Sequence, residues 1–183
     1  MKELSLNILD VAKNSVSAGA SLIEITLLED ENGWLKLSIN DNGCGMSEEV
    51  LKGVTDPFYT TRKTRKVGLG LPLLKLAAEQ TGGNLNIESS VKEGESGTRL
   101  EATFDKNSID FMPVGDIVST VCILIAGSPD IDFVFSDISP KGSVTIRTRE
   151  LREVLGDISL AEPEIQQWIK GYLEEQYQML NSQ

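Results

Sequence analysis

The stretch INDNGCGMSEE, residues 39–49, decides the fold. Asp-Asn-Gly-X-Gly after a strand makes a tight turn, because glycine reaches backbone conformations closed to other residues. The strand leading into it, GWLKLSIND, alternates with period two. Leu35, Leu37 and Ile39 fall on one face, and Lys36, Ser38 and Asn40 on the other. Continuing the count places Asp41 on the apolar side. A carboxylate there is costly unless something hydrogen-bonds to it. Turn aspartates often use local backbone N–H groups. The alternative is a carboxylate kept for a ligand.

Upstream, SLIEITLLED and GWLKLSIND predict two antiparallel strands around DENG. Residues 3–17 predict a helix with Leu4, Ile8, Val11 and Ala12 as its core stripe. Glu3, Asn7, Asp10 and Asn14 line a narrow polar face of that helix, which is ordinarily just solvated. Gly19 is placed to close it. Downstream, SEEVLKG predicts a short helix capped by Ser47. The segment after it carries Arg62, Lys63, Arg65 and Lys66, a basic cluster in an acidic chain. A second full helix follows, with Pro72 in its first turn and Leu69, Leu73, Leu74, Ala77 and Ala78 expected on its buried side. TGGNLNIESS and SGTRLEATF predict two more strands, joined by the polar VKEGE. Every strand alternates, so each has one buried and one wetter face. The expected class is therefore α+β: a two-layer α/β sandwich, a mixed sheet with helices on one face.

Composition excludes more than it selects. There is no histidine in 183 residues, so zinc sites and catalytic triads that depend on imidazole are ruled out. A net charge of −11 disfavours nucleic acid as a partner, since that requires clustered cations. Two cysteines, Cys44 and Cys122, make no disulfide framework, and reduced thiols in the cytoplasm are expected. No apolar run reaches the ~20 residues needed to span a bilayer, so no membrane role is expected. GxxxxGK[ST] and an early GxGxxG are both absent.

Residues 105–183 differ in balance from residues 1–104. They hold 6 Lys+Arg against 13 Asp+Glu, where residues 1–104 hold 11 against 15. They read as an α/β extension: a buried helix in PVGDIVSTVCILIAG, a hairpin over SPKG, a short helix ending at Gly156, and a last helix opening with Pro163. Ile165, Trp168, Ile169, Tyr172 and Leu173 stripe that last helix. Core packing against the sheet is the plainer role; a surface for a partner or a second copy is the sharper one.

Taken in order, Asn14, DNGCGM, DPFYTTR, GLGL and SGT resemble the N, G1, F, G2 and G3 boxes of the GHKL superfamily. That superfamily holds sensor histidine kinases, anti-sigma-factor kinases, type II topoisomerases, heat-shock chaperones and mismatch-repair ATPases. The resemblance covers residues 1–104 and implies the Bergerat ATP-binding fold. It implies that Asp41 accepts from the adenine amino group, with Gly43, Gly45 and Met46 beside the base and Thr98 at its edge. It implies Asn14 as a Mg²⁺ ligand, whose oxygen preference an amide carbonyl suits. Gly68, Leu69 and Gly70 resemble the loop that opens a helix onto phosphates, and Arg62 and Lys63 resemble lid cations.

The base four residues before the asparagine, often Glu in hydrolysing members, is here Asp10, one methylene shorter, and Asn7, one turn earlier on the same face, is placed to help shape the site. Cys44 is expected to be small and buried. Without histidine the chain is not expected to be a self-phosphorylating histidine kinase in isolation. The leading expectation is an ATP- and Mg²⁺-binding protein that passes the γ-phosphoryl group to a partner protein in bacterial signalling, with Asp10 as the catalytic residue. The second is an ATP-gated interaction module with slow or no hydrolysis.

Overall fold

The computed structural model describes residues 3–56 and 69–183. The order is α1 (Leu4–Ser17), β1 (Leu22–Glu29), β2 (Trp34–Asp41), α2 (Glu48–Gly53), α3 (Gly70–Gln80), β3 (Leu85–Ser90) and β4 (Gly97–Asp105). Then follow α4 (Ile117–Gly127), β5 (Asp132–Ser139), β6 (Gly142–Arg147), α5 (Thr148–Leu155) and α6 (Pro163–Asn181). Six strands make one mixed sheet in the order β3-β4-β2-β1-β5-β6. All neighbours are antiparallel except β1 and β5, which run parallel with Ile25 opposite Phe135.

Alternation puts Ile23, Ile25 and Leu27 of β1, Leu35, Leu37 and Ile39 of β2, and Leu100, Ala102 and Phe104 of β4 on the buried face. Phe133 and Phe135 of β5 continue that face into the C-terminal strands. α1, α3, α4 and α6 form the second layer, with α1 touching both α3 and α4, and α4 touching α6. Leu4, Ile8, Val11, Leu74, Val121, Leu124, Ile169 and Leu173 fill the space between the layers as part of one continuous core. Truncating a fully buried member such as Leu37 to alanine would cost about 2–5 kcal/mol.

The expected helix and strand types hold throughout the described residues, and so does the two-layer class. Gly19, with φ of 76°, lies just past α1, and Gly156, at 63°, ends α5. Burial corrects three expectations. Asn7 belongs to no solvated face: it is 0% exposed. Leu69 precedes α3 as its N-cap and is 47% exposed, so it lies off the helix's buried side. In α6, Ile169 and Leu173 are buried, but Trp168 is 54% exposed and stacks on Tyr172 at 5.4 Å.

Two arrangements fix α1 and the far end of the sheet. The first N–H groups of α1, at Leu4 and Ser5, donate to the carbonyls of Pro113 and Val114 at 2.9 and 2.8 Å. A helix start leaves such donors without internal partners, and the chain after β4 supplies them. At the C-terminal ends of β1 and β5, Lys106 Nζ lies 2.6 Å from Glu29 Oε2, and the Tyr177 hydroxyl donates to Asp137 Oδ2 at 2.7 Å. Burial holds the Asp137 carboxyl above its ordinary range, although the Tyr177 bond opposes this. Burial likewise raises the Tyr177 phenol.

Candidate functional site

Asp41 ends β2 where the sheet meets α1. In register it faces Ile23 on one side and Thr98 on the other. Its carboxylate is held twice: Gly43 N–H donates to Oδ1 at 2.9 Å, and the Ser15 hydroxyl donates to Oδ2 at 2.6 Å. The local bond is the turn's own, as turn chemistry predicts. The bond from Ser15 comes from α1 and was not anticipated. Its signal was nevertheless present, since Ser15 lies four residues past Val11 and seven past Ile8, on the core stripe. A buried hydroxyl there needs an acceptor. An ionised carboxylate offers about four lone-pair sites, so each oxygen keeps capacity for a further donor.

The turn itself is pinned from several directions. Cys44 N–H donates to the Ala18 carbonyl at 2.9 Å. Asn42 Oδ1 accepts from the N–H groups of Ser21 and Leu22 at 2.8 and 3.0 Å. Gly45 has φ of 73°, and a Cβ there would collide with the Ser90 carbonyl. A Cβ on Gly43 would lie 2.8 Å from the Ala18 methyl. Both glycines therefore admit the chain's own backbone. Cys44 is exposed rather than buried, with its thiol donating locally to the Gly45 carbonyl at 3.5 Å.

A cleft of about 780 Å³ opens beside this turn. Asp10, Asn14, Asp41, Gly45, Met46, Leu69, Gly70 and Thr98 all line it, as do Lys13 and Ser15. Ser89 links two of its walls: its Oγ accepts from Met46 N–H at 2.8 Å and lies 2.8 Å from Thr98 Oγ1. Gly70 opens α3 against α1, where an added Cβ would sit 3.3 Å from Asp10 Cβ. Leu69, the N-cap of α3, makes no side-chain capping bond, and the first residues of the helix, Gly70 and Leu71, line the cleft. Gly43, also expected in the site, is not among the lining residues and bonds to Asp41 within the turn. Arg62, Lys63 and Gly68 lie outside the described residues. Among the described residues no three His, Cys, Asp or Glu side chains gather as a metal cluster.

Comparison with known proteins identifies the family. Residues 1–108 match the family described as histidine kinase-, DNA gyrase B-, and HSP90-like ATPase. The chain belongs to that family, and this part of it is an ATP-binding, kinase-like domain. It is 33% identical over 94 residues to sporulation kinase E of Bacillus subtilis (strain 168), covering 51% of this chain and 12% of that kinase. Over 119 residues it is 29% identical to the adaptive-response sensory kinase SasA of Prochlorococcus marinus, covering 62% of this chain and 31% of that one. The chain therefore spans less than a third of either kinase. A solved N terminal domain of a DNA repair protein shares the fold over 80% of this chain and 52% of its own, with a TM-score of 0.58 and 15% identity. Among the described residues no helix is long and apolar enough to cross a membrane.

Proposed function

We propose that the chain binds Mg-ATP in this cleft and passes the γ-phosphoryl group to a partner protein. The observation that carries this is Asp41. Its carboxylate is fixed by Ser15 and Gly43, lies on the cleft wall, and keeps acceptor capacity for an exocyclic amino group. Thr98, its register partner, brings a hydroxyl to the same edge. Phosphoryl transfer asks a protein mainly for positioning and charge neutralisation. Asn14 would hold Mg²⁺ through its amide carbonyl, and phosphate oxygens and water would supply the remaining ligands. The metal's part is to offset charge on the phosphates. The uncapped start of α3 at Gly70 offers backbone donors to an anion. Lid roles for Arg62 and Lys63 and a phosphate-loop role for Gly68 rest on the resemblance. Asp10, one turn before Asn14, would orient or deprotonate an acceptor hydroxyl; a histidine acceptor on the partner would not need it. Incubation with γ-labelled ATP and a lysate of the source cells should label one partner protein. Tight ATP binding with no label on any protein would refute the transfer step.

A nucleotide-gated interaction module is the second reading. The short reach of Asp10 and the exposed Trp168–Tyr172 stack favour it. Its mark would be partner affinity that changes between ATP and ADP. Identical affinity in the two states would remove it.

A further inference from the structure

Asn7 is an anomaly of the helix layer. It is 0% exposed, yet neither its Oδ1 nor its Nδ2 has a hydrogen-bond partner among the described residues. A buried amide left unpaired on both atoms destabilises a fold appreciably, and an apolar side chain of similar size would not. Helical spacing says what the amide is near. Leu4 and Val11 lie three and four residues away on the core side, and Asp10 and Asn14 lie three and seven away on the cleft side. Side chains three apart on a helix are neighbours, about 5–6 Å between Cβ atoms. Asn7 thus stands one turn before Asp10 on α1, buried where Asp10 is exposed, and does not itself line the cleft.

We infer that Asn7 is a positioning residue of the nucleotide site, one that acts through Asp10; this rests on the Mg-ATP reading above. Its amide has no partner among the described residues and donates Nδ2–H to the Asp10 carboxylate when Mg-ATP fills the cleft. That bond has two effects. It fixes the rotamer of a carboxylate whose short stem reaches less far than Glu. It also offsets part of the negative charge that Asp10 would present to a terminal phosphate. The effect therefore concerns ATP more than ADP.

Asn7→Leu in the full chain tests this, with melting of the nucleotide-free protein and titration with Mg-ATP and Mg-ADP. The variant should melt at the same temperature as the parent or a few degrees higher. Its Mg-ATP affinity should fall about tenfold, as expected for loss of a bond to a charged group, with Mg-ADP affinity little changed. In an Asp10→Asn background the same change should have no further effect on Mg-ATP. Lower melting with unchanged ATP affinity would make Asn7 a packing residue and overturn the inference, as would losses that simply add in the double variant. Equal weakening of ATP and ADP would likewise overturn the link to Asp10. A parent chain that binds no Mg-ATP would refute the reading of the site itself, a result distinct from a parent that binds and a variant that binds equally well.

Discussion

The two ends of the sheet treat half-buried polar groups in opposite ways. At the far end, Asp137 is closed by Tyr177, and Glu29 is closed by Lys106. At the cleft end, Asp41 is held by Ser15 and Gly43 but retains acceptor capacity. A polar group whose hydrogen bonds are used up by its own chain is structural. One that is oriented yet left with capacity is prepared for something else. The same sheet thus contains a clasp at one end and a receptor at the other, and substitutions should separate them.

The sharpest separation is expected from Asp41→Asn. An amide can still accept, but it presents a donor where the carboxylate presents only acceptors, and it loses the charge-assisted bond from Ser15. Mg-ATP affinity should fall on the order of 100-fold, for a loss of ~2–3 kcal/mol. Calorimetric titration checks this, and an affinity within a factor of three of the parent would dissolve the distinction between the two ends. Tyr177→Phe makes the converse change. It leaves the Asp137 carboxylate buried without its hydroxyl donor, and should cost about 1–3 kcal/mol of stability with nucleotide affinity intact. Denaturant unfolding and titration together would show whether the clasp is independent of the cleft.

Ser15→Ala removes one of two donors to Asp41. It should weaken Mg-ATP binding severalfold, for a loss of about 1 kcal/mol, clearly less than Asp41→Asn. The smallest effect expected is one of pH. The folded state raises the Asp137 carboxyl above its unfolded value, so folding is favoured by its proton. Its contribution is fully present below the unfolded value and is lost as pH rises through the raised one. Asp137→Asn keeps an acceptor for Tyr177 and carries no charge, so it should be more stable than the parent at neutral pH. That margin should shrink as the pH falls toward 4, the ordinary aspartate range. Unfolding free energies measured across that interval decide it.

Much of this contrast was legible in the residues. Period two in GWLKLSIND set the face of Asp41, and the glycines around it announced the turn. The helix stripes were equally plain, as was the alternation that fixes a one-sided helix layer. Groups that depend on pairing across long sequence distance could not be read this way. Nothing local distinguishes Ser15 from an exposed serine until β2 is laid against α1. Asn7 reads either as solvated or as a shaper of the site, because helical spacing groups it with Asp10 and Asn14, and only the packing of the helix layer buries it. Trp168 fell on an apolar stripe whose spacing does not reveal that the sheet covers only part of it. The glycines of DNGCGM were legible as a requirement but not by cause: the obstacles that exclude a side chain are Ala18 and the Ser90 carbonyl.

The parallel pairing of β1 with β5 has a consequence for biosynthesis. Leu22 waits for Asp132, and Leu28 for Ile138, before that edge of β1 is satisfied. A nascent chain that has just emitted β4 has a four-stranded sheet with the backbone of β1 bare along one side. It also has an α1 whose first amides await Pro113 and Val114. An open strand edge is a template for pairing with other chains. This ATP-binding domain therefore carries an adhesive edge until residues 132–138 have been made and can pair with β1.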